Sequence, residues 1–267
     1  MTRTLAHISD LHLGRDRRTD AAAARLAIAL LETDVDTVLV TGDVTDSGRL
    51  SELAKFERMF APLRGRLVVV PGNHDRLGDD AARELMVGAR VRAEARPGLH
   101  VVQVDSTAPS NRTLLACHGA LSAADIAAVD SAVDAAQPGA LVVVMLHHHL
   151  LPLPEDLLVE RLANLLGLPN AAELRLGRIL LERLRGRCDL VAHGHRHAES
   201  ALDLPACDGR ALRVMNAGCT PELGRARLLA HERGRVIAES WLEFGEQRSR
   251  RVAPLGVRFP APGSAAA

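Results

Sequence analysis

Aromatic side chains are nearly missing from this 267-residue chain: four Phe, one Trp and no Tyr. Single-stranded nucleic acid is held largely by stacking bases on such rings, and extended or proline-rich peptides dock in aromatic-lined grooves, so neither kind of surface is expected. Charge of one sign is lacking too. Thirty-three basic residues face thirty-three acidic ones, for a formal net charge of zero, which argues against a basic nucleic-acid glove and an acidic tail. No apolar stretch of signal-peptide length follows Met1, and no run approaches the roughly 18 apolar residues of a membrane span. The four cysteines, Cys117, Cys188, Cys207 and Cys219, form neither a C-x-x-C pair nor a zinc-ribbon spacing. They read as reduced thiols of a cytoplasmic protein, since disulfides are rare in that compartment.

Histidine is what the chain has in excess, twelve against those few rings. Abundant Ala, and Lys55 as the single lysine, point to a GC-rich gene, but base composition does not decide where the histidines fall. Short apolar runs alternate with helical patterns. Strands are expected at 4–8, 37–40, 67–70, 99–104, 113–117, 141–146 and 189–192, then in short runs at 211–215, 227–230 and 236–242. Helices are expected at 21–31, 50–60, 122–136, 154–168 and 170–185, with Ser122…Asp125 and Asn170…Glu173 as capping signals. The run at 141–146 is apolar throughout and therefore central. The first half reads as β-α-β with parallel crossovers, and the end as an antiparallel meander. A layered α/β or α+β protein with helices outside the sheets follows. Residues 1–245 make one domain with a helical insertion at about 150–186, and 246–267 form a tail that lies on the surface or is partly disordered.

Polar residues gather after the strands. They are Asp10-Leu11-His12, Gly42-Asp43-Val44-Thr45-Asp46, Gly72-Asn73-His74-Asp75, His147-His148-His149 and His193-Gly194-His195-Arg196-His197. Each alone reads as turn chemistry. Five of them at five strand ends is a site, because the C-terminal edge of such a sheet is where ligands bind. Asp, Asn and His suit Mn, Fe, Zn, Co or Ni better than Ca or a thiolate-selected ion. One carboxylate can bridge two ions about 3.5–4 Å apart, which then hold a water of lowered pKa and clamp a phosphoryl group.

The order Asp-x-His, Gly-Asp-x-x-Asp, Gly-Asn-His-Asp, a His after an apolar strand, and Gly-His-x-His, running from residue 10 to 197, resembles the calcineurin-like metallophosphoesterases. The resemblance implies a four-layer α-β-β-α sandwich and two transition-metal ions, Mn, Fe or Zn. It also implies phosphoester hydrolysis by a hydroxide bridging the metals. By the same resemblance Asp10, His12 and His197 would hold one ion. Asn73, a His in the 147–149 run and His195 would hold the other, with Asp43 bridging. His147, first beyond the apolar strand, is the candidate in that run, while His149 stands where the family often has Pro. His74 would protonate the leaving oxygen, and Asp75 would orient His74. His193 falls outside the ligand set.

Thr41–Gly48, Val104-Asp105-Ser106 and Gly119-Ala120-Leu121-Ser122 resemble elements of the bacterial class III cyclic nucleotide phosphodiesterases, although the Trp usual in the following helix is absent. A phosphodiesterase acting on small soluble phosphoesters is therefore the expected function, with cyclic nucleotides or a promiscuous range as substrates. A phosphomonoesterase, a metal-dependent nuclease and an inactive binding module on the same scaffold are the alternatives. Nucleic acid is not an expected partner. The Leu-rich helices between the last two motifs pack on the core, cover the site, or serve a homodimer.

Overall fold

Apolar strands buried on both faces need a packing layer on each side, and the chain provides them. The computed structural model describes residues 1–113, 117–151 and 174–245. One sheet has the order β11-β10-β1-β2-β3, built from β1 (Arg3–Ile8), β2 (Thr37–Thr41), β3 (Leu67–Val70), β10 (Arg225–Glu232) and β11 (Arg235–Glu243). The other runs β4-β5-β6-β7-β9-β8, from β4 (Val91–Arg96), β5 (Leu99–Val104), β6 (Leu141–Met145), β7 (Leu190–His193), β8 (Ser200–Cys207) and β9 (Arg210–Asn216). Strands β1, β2 and β3 are parallel, as are β5, β6, β7 and β9.

Alternation along the central strands sorts the core into three layers. In β2, Val38 and Val40 pack with Leu26 and Leu30 of α1 (Arg17–Glu32) and Phe56 of α2 (Leu50–Met59). The intervening Leu39 faces the second sheet, where it joins Leu5, Val143, Met145 and Leu190. In β6, Val142 and Val144 turn the other way, toward Ile126 and Val129 of α3 (Ala123–Asp134) and Leu180 and Leu184 of α4 (Gly177–Leu184). Helix, sheet, sheet and helix thus stack as the motif order implied. Both α1 and α3 start at side-chain caps. Asp16 accepts from the Thr19 amide at 2.8 Å, and Ser122 exchanges bonds with Asp125.

Three expectations change. The chain's end is not one meander: β8 and β9 form a hairpin in the second sheet, with β9 parallel to β7, whereas β10 and β11 cross back to pair antiparallel with β1. Strands β4 and β8 were not expected, because as edges they carry Arg92, Glu94, Arg96, Asp203 and Pro205 among partly exposed positions. Finally, α1 starts at Arg17, a turn before the apolar pattern does. The strand expected at 113–117 falls mostly on 114–116. The helix at 154–168, the Asn170…Glu173 cap and the tail at 246–267 also lie outside the described residues.

Candidate metal centre

Parallel strands put their C-terminal ends on one edge, so the loops after β1, β2 and β3 meet those after β6 and β7. Two clusters result. In the first, His12 Nε2 lies 3.2 Å from His197 Nε2, and His197 Nε2 lies 3.6 Å from Asp10 Oδ1. In the second, His147 Nε2 is 3.1 Å from Asn73 Oδ1 and 3.2 Å from His195 Nδ1. Asp43 stands between them, its Oδ2 3.4 Å from His147 Nε2 and 3.9 Å from His12 Nε2. Asp10, His12 and His197 bring ligand atoms within 4.8 Å of one another, as do Asp10, Asp43 and His147. All seven residues singled out as metal ligands therefore converge.

The backbone is bent to achieve this. Asp10, His12, Asp43, His195 and His197 have φ of 52°, 44°, 48°, 74° and 49°, a left-handed region costing roughly 1–3 kcal/mol per non-glycine residue when held. Glycines make room beside them. A Cβ on Gly42 would stand 2.5 Å from His147 Nδ1, one on Gly72 would overlap the Asp43 carboxylate, and one on Gly194 would overlap Ser9 and crowd Asp10. The Gly of each motif is thus a clearance for the neighbouring carboxylate or imidazole.

The far nitrogen of His147 is tied down. His147 Nδ1 donates to the Thr41 carbonyl at 2.8 Å, which leaves Nε2 free to face the cluster. His12 Nδ1 lies 3.3 Å from Asp46 Oδ1. Asp10 accepts from the His195 amide at 3.1 Å and Asp43 from the His74 amide at 2.8 Å. Burial disfavours a charged His147, yet Asp43 and Asp10 outweigh it and lift its pKa to about 9. Burial is likewise outweighed at His12, by Asp46 and Asp43, and at Asp43, which His147, His74 and His12 hold well below the carboxylate range. A site that draws protons onto buried imidazoles attracts cations. Imidazole nitrogens aimed at one another beside carboxylate and amide oxygens form a donor set that fits transition-metal ions.

Other expectations resolve at atomic detail. Of the three consecutive histidines, His147 faces Asp43, Asn73 and His195. His148 has both nitrogens engaged, Nδ1 accepting from Ser106 Oγ at 2.8 Å and Nε2 donating to the Cys117 carbonyl at 3.0 Å. His193 is buried, its Nδ1 donating to the Gly194 carbonyl at 3.1 Å. The ring of His74 meets that of His12 edge-on at 4.6 Å. Asp75 does not orient His74. It points inward, accepting from the amides of Gly72, Val44 and Thr45 and from Thr45 Oγ1, whereas His74 Nδ1 donates to the Asp46 carbonyl at 2.7 Å. Adjacent residues on the tight turn His74–Arg76 point apart. Asp46, which touches both His12 and His74, and Ser106 were quoted as motif members without a role. The only signal for Asp46 was its place in the loop holding Asp43.

Comparison with known proteins follows the same lines. The family model described as calcineurin-like phosphoesterase matches residues 3–199. A 3′,5′-cyclic adenosine monophosphate phosphodiesterase of Pseudomonas aeruginosa is 29% identical over 167 residues, 57% of each protein. A probable cyclic nucleotide phosphodiesterase of Vesicomyosocius okutanii is 28% identical over 80 residues, 28% of this chain and 34% of the relative. The matches thus span between about a third and just over half of these relatives' length. Among solved structures, a dimetal phosphatase from Danio rerio superposes with a TM-score of 0.58 at 11% identity, covering 91% of this chain and 99% of the other, a likeness of fold.

Proposed function

The chain belongs to the calcineurin-like phosphoesterases, and on that premise we propose that it is a dinuclear metal-dependent phosphodiesterase of small soluble phosphodiesters, cyclic nucleotides among them. The observation that carries the reading is the convergence of two imidazole–carboxylate clusters on the shared Asp43. Asp10, His12 and His197 would hold one ion, Asn73, His147 and His195 the other, and Asp43 would serve both. Such ions, Mn, Fe or Zn by the character of the donors, supply Lewis-acid stabilisation of phosphoryl oxygens and a water nucleophile of lowered pKa.

The chain's own part lies around them. His74 donates Nδ1–H to the Asp46 carbonyl, so Nε2 is the atom that can hand a proton to a departing alkoxide. Asp75 fixes the loops after β2 and β3 through its four accepted bonds and thereby sets where Asp43 and His74 stand. Ser106 accepts from the amides of His147 and His148 at 3.3 and 3.2 Å and fixes the start of the third loop.

Preference for a diester is supported by the names of the relatives and by the Val104-Asp105-Ser106 element. Residues 1–245 would form the working domain, in the cytoplasm, and no described helix is long and apolar enough to cross a membrane. The test compares hydrolysis of a phosphodiester and its matching monoester by the purified metal-loaded protein. Faster turnover of the diester is expected. Faster turnover of the monoester would reassign the substrate class, and hydrolysis of neither would overturn the enzyme reading.

A further inference from the structure

His149 is the least explained residue near the site. Its side chain is 1% exposed, and neither ring nitrogen has a hydrogen-bond partner among the described residues. A buried polar atom without a partner is unfavourable, because it has given up its bonds to water without replacement.

Among the described residues its ring stacks on that of His195. The two rings lie parallel, with centroids 5.7 Å apart and an interplanar angle of 14°. His195 needs such support. His147 has its far nitrogen held by the Thr41 carbonyl, and the far nitrogen of His12 faces the Asp46 carboxylate at 3.3 Å without forming a hydrogen bond. His195 uses Nδ1 toward His147, and its Nε2 makes no hydrogen bond with any described residue. Its backbone sits at φ 74°, with its amide bonded to Asp10. What surrounds that ring is the histidine run itself, with His147 edge-on at 5.0 Å, His148 tilted at 4.9 Å and His149 stacked.

We infer that His149 is a positioning residue for the second metal: the face of its ring, not its nitrogens, holds His195 in the coordinating orientation that the Thr41 carbonyl provides for His147. Stacked rings attract each other beyond the gain from burying their surfaces. Loss of an outer contact to a metal ligand typically lowers metal affinity about 10- to 100-fold.

The inference rests on His195 being a ligand, and the experiment separates the two claims. Full-length metal-loaded protein is titrated with a chelator while retained metal is counted by mass spectrometry. In His195→Ala one ion should be missing from the start; retention of both would overturn the ligand reading and this inference with it. In His149→Leu the second ion should leave at about 10- to 100-fold lower chelator, while His149→Phe, a flat ring without nitrogens, should hold it as the wild type does. Release from the Leu variant at the wild-type point would overturn the positioning role alone. Release from the Phe variant as early as from the Leu variant would show that the nitrogens matter, and would overturn it as well. Melting temperatures of the metal-stripped variants monitor folding, with His149→Met replacing the Leu variant should that one not fold.

Discussion

His74 separates proton transfer from metal binding at the scale of one side chain. Its amide bonds Asp43 and its ring bonds Asp46, so removing the ring spares the contact that matters to the clusters. His74→Ala should keep the metals and lose on the order of 10²–10⁴ in turnover of a diester with a poor leaving group. With nitrophenolate, which leaves without a proton, the loss should shrink. Steady-state rates on the two substrates check this, and equal losses on both would refute the acid role. Asp75 shows what adjacent sequence positions cannot tell. It follows His74 directly, yet it is wholly buried and serves three amides and a hydroxyl, while the atom that orients His74 comes from the loop after β2. Burial and the nearby Asp43 raise its pKa, as expected of a carboxyl walled in beside another.

Strands carry the second scale. The central ones were legible because both faces are buried, so that 38–40 and 141–146 read as unbroken apolar runs and 99–104 is interrupted only by His100 and Gln103. The clusters at their ends were legible because parallel strands release their loops on the same side. Two edge strands, β4 and β8, were not, since they mix charge with apolar residues in the way solvent-facing loops do. Nor was the return of β10 and β11 to the first sheet, which depends on contacts remote in sequence. One such contact joins the sheets: Arg213 of β9 meets Glu239 of β11 at 2.9 Å, and Glu239 also bonds Arg227 of β10, a side chain only 5% exposed. Trp241 lies 4.5 Å from the guanidinium groups of both Arg225 and Arg227. Glu239→Ala strands the buried Arg227 and should destabilise by about 3 kcal/mol, the low end for such a pair because Glu239 is 21% exposed. Denaturant unfolding measures it, and a change below about 0.5 kcal/mol would assign no weight to this link.

Across the whole molecule the histidines couple folding to pH. In the metal-free protein His147 has a pKa near 9 in the fold against an ordinary 6.5. Its contribution to stability is complete below pH 6.5 and disappears as pH rises toward 9. His193 and His149 shift the other way, to about 4 and about 3, through burial first. Their neutral forms belong to the fold, so stability also falls as pH drops below 6.5 toward those values. Metal-free protein should therefore be most stable near neutrality, with its denaturation midpoint falling on both sides. Metal binding needs deprotonated imidazoles and should hold the alkaline side level. A midpoint that climbs steadily to pH 9 without metal would contradict the assignment.

Sharing of Asp43 by two ions is the claim on which the account stands. The most direct test is the metal content of wild type and Asp43→Ala, purified alike and counted by plasma mass spectrometry beside a circular dichroism spectrum. The account predicts two transition-metal ions per chain in the wild type, and loss of most metal from a variant that remains folded. Two ions per chain in folded Asp43→Ala, or none in the wild type after loading with Mn, Fe or Zn, would contradict it.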